Sequence, residues 1–147
     1  MDYHQPSIVQ IGDRLYLLVE DWTFTWNYTE EVESCINVPA GFVYDGASIP
    51  RMFWRIFGVT PDGVHRAAAL VHDWIYTFDG DVPSGSITRS VLQPDCTYKK
   101  LDTIDKWTQK DCDKFFKKML LDTPLPRWKV QTMYIAVRLF GWSKWKN

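Results

Sequence analysis

The chain has 147 residues, 46% hydrophobic and 24% charged, a composition that suits one folded globular domain and argues against a disordered chain. A net charge of −1 gives no global case for nucleic acid or an anionic membrane, and no apolar run is long enough to span a bilayer. Three cysteines, at 35, 96 and 112, are an odd set without Cys-x-x-Cys spacing, which argues against a disulfide framework or zinc ribbon and for free thiols in a reducing compartment.

The opening MDYHQPSIVQ has neither a basic n-region nor an apolar h-region, so no standard export signal is expected. The first 45 residues read as β. RLYLLVE (14–20) and WTFTWNY (22–28) are rich in aromatic and β-branched residues, and in the second Trp22, Phe24, Trp26 and Tyr28 alternate with polar residues to give one aromatic face. TEEVES (29–34) reads as a polar connection, and CINVPAGFVYDG (35–46) as two short apolar runs broken at Pro39-Ala40-Gly41. The remainder reads as α. Ser48 can cap a helix over IPRMFWRIFG that stops at Gly58, and 62–78 forms a second helix with His65, Ala69, His72 and Tyr76 on one face. Residues 79–105 hold no period and open with the loop signal DGDVPSGS. Thr108 can cap a third helix over 109–122, and a fourth runs from Pro126 to Gly141. The expected fold is therefore α+β, a small antiparallel N-terminal β-sheet packed on three to four α-helices within a single domain, 1–147.

Charge is unevenly split: residues 1–98 carry 5 basic and 13 acidic groups, residues 99–147 carry 12 and 5. The halves can attract each other within the fold, or the basic half can present a face to a polar partner. Part of the basic set Lys117, Lys129, Arg138, Lys144 and Lys146 is expected to lie close together beside Trp142 and Trp145, as a partner surface or a peripheral membrane contact.

The stretch AAALVHDWIY (67–76) sets an imidazole and a carboxylate inside the most hydrophobic helix. Adjacent helix positions point about 100° apart, so His72 and Asp73 each need their own partner. Asp113 borders the stripe formed by 112, 115, 116, 119 and 120 and needs a donor; His72 on an antiparallel helix would provide it. A carboxylate that fixes a histidine's tautomer makes it a general base for water, whereas the plain alternative is a structural bridge between two helices. Asp45 ends a strand and Ser48 opens a helix, a turn type that carries ligands and nucleophiles; the plain alternatives are a turn residue and an N-cap. Asp45, Asp73 and His65 are the metal-ligand candidates, although no diagnostic metal spacing is present.

VPAGFVYDGASIPRMFWRIFG, HRAAALVHDWIY, CDKFFKKML and MYIAVRLFGW together resemble the domain-of-unknown-function family 1353, found largely in bacteriophages and prophages, over roughly residues 35–142. The resemblance implies a phage-encoded chain acting in the host cytoplasm during infection or in the virion, with phage structural proteins or the bacterial cell envelope as partners. The family's spacer between the two helices is short, so the resemblance makes 79–107 a loop insertion. At the site alone, His72, Asp73, Tyr76 and Asp113 are similar to the His-Asp-x-x-Tyr and distant Asp of secretory phospholipases, without their cysteine framework or glycine-rich calcium loop. That likeness implies a base at His72, an orienting Asp113 and a calcium-binding Asp73. Two functions follow as expectations. One is a hydrolase of a lipid ester or cell-wall bond with His72, Asp113, Asp73, Ser48 and Tyr76 in the catalytic set and a divalent metal, calcium or zinc. The other is a non-enzymatic virion or tail-associated protein that docks a partner.

Overall fold

The computed structural model describes residues 4–27, 29–45 and 65–146. β1 (Ile8–Gly12), β2 (Leu15–Leu18) and β5 (Val43–Tyr44) make a three-stranded antiparallel sheet in the order β1-β2-β5. β3 (Trp22–Asn27), β4 (Val32–Val38), β6 (Ile87–Leu92) and β7 (Tyr98–Thr103) make a four-stranded antiparallel sheet in the order β3-β4-β6-β7. Three α-helices stand among the described residues: α1 (Arg66–Thr77), α2 (Gln109–Leu121) and α3 (Arg127–Phe140), the last running into a 3₁₀ turn at Gly141–Ser143.

This architecture corrects the expected fold class. The described residues hold seven strands in two antiparallel sheets beside three helices, rather than a small N-terminal sheet on three to four helices. The missing strands come from the segment read as an irregular loop, which forms the β6–β7 hairpin. Its outer strand is almost wholly exposed, so YKKLDT carries no apolar alternation. β6 buries only Ile87 fully, and the hairpin is held by backbone bonds that leave no trace in side-chain periodicity. TEEVES likewise looks polar, but β4 begins at Val32 within it. The helix expected over 48–58, with Ser48 at its cap, lies outside the described residues.

β3 alternates as the sequence demands, with Trp22, Phe24 and Trp26 buried and the intervening residues exposed. Their rings stack along the strand at 5.9 and 5.7 Å between centroids, and Trp26 meets Phe115 of α2 at 4.6 Å. α1 is buried on all sides: every residue from Ala67 to Tyr76 is closed to solvent. It packs against α2 and β5, and α2 packs in turn against α3. A helix this enclosed needs an apolar surface all round, which accounts for AAALV. Trp74 spends its only polar group on Ser86, its indole N–H donating to Oγ at 2.9 Å, and Ser86 passes a bond to the Asn37 carbonyl. The α1 helix is thereby tied to the hairpin and to β4.

Candidate functional site

In α1, His72 and Tyr76 stand one turn apart and share a face. α2 starts at a true cap, where the Thr108 hydroxyl accepts from the Asp111 amide at 3.1 Å, and this fixes the register that turns Asp113 inward. His72 Nε2 lies 2.9 Å from Asp113 Oδ1, so the two residues singled out from sequence meet. Tyr76 Oη donates to the same oxygen at 2.7 Å, and Arg138 from α3 donates to Oδ2 at 2.8 Å. One carboxylate therefore gathers donors from two other helices. Gln109 donates to Tyr76 Oη at 3.2 Å, while the rings of Tyr76 and Phe116 pack tilted against the imidazole at 4.2 and 4.8 Å.

The protonation pattern follows from this geometry. Burial pushes the Asp113 carboxyl up, but the bonds from His72, Tyr76 and Arg138 and the His72 charge outweigh it, and its pKa is lowered overall. An ionised carboxylate accepts only, so the proton in the 2.9 Å contact sits on His72 Nε2. Burial pulls the His72 pKa down; the bonds and charges of Asp113 and Asp73 more than reverse it, and the net shift is upward. Burial, then the bond to Asp113, pushes Tyr76 up, so it stays a donor. The second ring nitrogen, Nδ1, is 3.8 Å from Asp73 Oδ1. His72 thus lies between two carboxylates and is held toward its cationic form.

The two shifts set opposite pH limits. The raised His72 contributes stability that is complete below its ordinary value of 6.5 and lost as pH rises through the folded value. The lowered Asp113 contributes stability present above its ordinary 3.8 and lost as pH falls through the folded value. The network is strongest between those limits. Denaturation midpoints should fall over the pH range above 6.5, and His72→Asn should flatten that fall. A native midpoint that stays level over the range contradicts the assignment.

Asp73 also borders a polar cleft of about 370 Å³, lined in part by Tyr44, Asp45, Tyr76 and Lys144. Asp45 is exposed and lies 3.8 Å from Lys144 Nζ. Of the metal candidates, Asp45 and Asp73 share this cleft, whereas His65 is buried and does not line it. Among the described residues no group of three or more His, Cys, Asp or Glu side chains is placed to hold a metal ion. Ser48 lies outside the described residues. Sequence reasoning missed Arg138 and Gln109 as members of the network. Arg138 looks like a surface cation in the sequence, yet its place next to the buried Val137 puts it at the border of the inner face. Trp145 also leaves the expected patch: it packs edge-on against Tyr76 at 4.9 Å, while Trp142 is 68% exposed. No helix among the described residues is long and apolar enough to cross a membrane.

A family model described as "Protein of unknown function (DUF1353)" matches residues 21–137. The chain is 29% identical over 104 residues to "Uncharacterized protein y4jT" of Sinorhizobium fredii (strain NBRC 101917 / NGR234), a match that covers 71% of this chain. It spans only 23% of that relative's length. No solved structure matches the chain.

Proposed function

This chain belongs to the DUF1353 family, and we propose that it is a non-enzymatic interaction component, of the virion or tail-associated kind, that docks a helix of a partner protein. The observation that carries the proposal is the outer face of α3. Its inner face buries Val130, Met133, Ala136 and Val137. On the opposite side Trp128, Ile135 and Leu139 stand exposed at successive spacings of seven and four, and Trp142 follows, exposed, in the 3₁₀ turn. That is the spacing of a heptad seam, which suits knobs-into-holes packing against another helix. Exposed apolar stripes of this kind are uncommon on monomers and mark interaction surfaces. The relative from Sinorhizobium carries the matched stretch as under a quarter of its length, which supports a unit that works beside other protein. The phage setting, with assembly in the host cytoplasm, rests on the motifs that resemble the family.

The buried network argues the same way. His72 is 2% exposed and Asp113 0%, so the pair is closed to the water that a general base would have to activate. It serves instead as a brace between α1, α2 and α3. To test the docking, Leu139→Glu/Trp142→Glu should leave the unfolding free energy within about 0.5 kcal/mol, the usual range for surface changes, and should abolish incorporation into assembled particles. Undiminished incorporation overturns the proposal.

One observation favours hydrolysis as a second reading. Asp73, its side chain 10% exposed, stands between His72 and a polar cleft that Asp45 and Tyr76 also line, an order similar to that of secretory phospholipases. If hydrolysis is the function, His72→Asn lowers turnover of lipid esters or cell-wall fragments by about 10²–10⁴-fold. If the brace is its whole role, the native chain hydrolyses neither, and His72→Asn costs only stability, about 1–3 kcal/mol for the buried groups left unsatisfied.

A further inference from the structure

A second cleft of about 370 Å³ opens between the four-stranded sheet and α2, on the side of α2 away from Asp113. Its floor lies on one cross-strand row: Trp26 of β3 pairs with Ser34 of β4, which pairs with Arg89 of β6. Elsewhere this inner face is apolar, as at Ile36 and Ile87; here it turns polar and cationic. The far wall is α2, where Lys114 and Lys118, one turn apart, flank the buried ring of Phe115. Lys106 and Trp107, just before the helix, close the rim.

Three features point to a ligand. First, the lining holds four cations, Arg89, Lys106, Lys114 and Lys118, against one carboxylate, Asp111. Asp111 is occupied by the helix cap, accepting from the Thr108 hydroxyl at 2.6 Å, and Arg89 keeps a long 3.9 Å pairing with Asp102. None of the three lysines has a carboxylate partner among the described residues. Second, the Ser34 hydroxyl and the Trp107 indole N–H are buried and find no hydrogen-bond partner among the described residues. Ser34 is 1% exposed. Buried polar groups are nearly always paired, so two unpaired ones at the same cleft mark a place where a partner arrives from outside the chain. Third, the same wall is aromatic, with Trp107 5.6 Å from Phe115 and Trp26 4.6 Å from it.

We propose that this cleft binds a small anion with a planar aromatic body, of the nucleoside monophosphate class. The phosphate would lie among Lys106, Lys114, Lys118 and Arg89, where a multiply charged anion gains most from clustered cations. The ring would lie along Trp107, with the Ser34 hydroxyl available to its polar edge. The volume falls in the range of small-molecule sites, about 300–1,000 Å³. This site is independent of the docking face on α3 and of the His72 network.

The test is titration of the full chain with AMP, UMP, adenosine and inorganic phosphate, followed by calorimetry and tryptophan fluorescence. At least one nucleotide should bind at least tenfold more tightly than either adenosine or phosphate alone. Lys114→Ala/Lys118→Ala, two exposed positions, should weaken it at least tenfold with an unchanged unfolding midpoint. Ser34→Ala should weaken it about threefold. Absence of nucleotide binding at millimolar concentration overturns the site, as does equal binding by the double-lysine variant. Inorganic phosphate binding as tightly as both nucleotides overturns the aromatic half of the ligand assignment.

Discussion

Asp113→Ala should lower the unfolding free energy by about 3–5 kcal/mol, the cost of breaking a buried charge pair by removing one side. Asp113 is fully closed to solvent and is the acceptor for His72, Tyr76 and Arg138. Without it three donors lose their partner together, and His72 keeps a burial penalty that the carboxylate no longer offsets. The imidazole pKa should then drop below its ordinary value unless Asp73 moves closer. Domains of this size are stable by about 5–15 kcal/mol, so the variant sits near the edge of folding. Asp113→Asn keeps the volume and two bonding positions and serves where the alanine variant is too unstable to measure. Urea midpoints with an unchanged slope read the effect directly. A loss under about 1 kcal/mol would mean that the network is incidental to the fold.

Gly80→Ala should be almost as damaging, for a steric reason. Gly80 follows α1 with φ +82°, and its amide donates to the Ile75 carbonyl at 3.0 Å, closing off the helix end. A β-carbon there would collide with the Trp107 carbonyl and come within 2.7 Å of the Trp145 ring. The Trp107 amide also donates to the Gly80 carbonyl at 2.8 Å, so the clash falls where the end of α1, the start of α2 and the C-terminal segment meet. Left-handed strain and overpacking each cost about 1–3 kcal/mol, giving an expected loss of about 3 kcal/mol. Gly85 provides the control: it has the same φ of +82° but open space around its Cα. Gly85→Ala should show the backbone strain alone, about 1 kcal/mol. Equal losses at the two positions would contradict the packing account.

How much of this was legible in the sequence depends on burial. α2 and α3 were readable because burial of one face stamps a 3.6-residue period on the chain, while α1, enclosed all round, was readable from an apolar run too long for a strand. β3 was readable for the same reason, with a period of two. β6 and β7 were not. An edge hairpin with exposed Tyr98, Lys99, Lys100 and Leu101 is held by backbone pairing, and its lysines suit an edge that must not recruit another strand. The contact between His72 and Asp113 could be inferred because a carboxylate on a buried stripe demands a donor, and few donors face inward. Arg138 was hidden because a long side chain can leave the surface and reach inward, so its address in the sequence looks like solvent. Trp145 and Trp142, read as one patch, divide between core and surface because the 3₁₀ turn at Gly141–Ser143 rotates one ring onto Tyr76. That turn itself requires glycine, since a β-carbon on Gly141 would run into the Tyr76 hydroxyl. The second cleft was invisible because its lining comes from β3, β4, β6 and α2, and no contiguous motif encodes it.

On the proposed reading His72 is a buried brace, held toward its cationic form by the carboxylates beside it, rather than a base open to water. The most direct measurement is the imidazole ¹H–¹⁵N spectrum of His72 followed as a function of pH. The brace predicts a protonated ring that persists above pH 6.5, with an Nε2–H that exchanges slowly with solvent and loses its protection in Asp113→Asn. A His72 ring that is neutral at pH 6.5 and exchanges its proton as fast as an exposed histidine would contradict it.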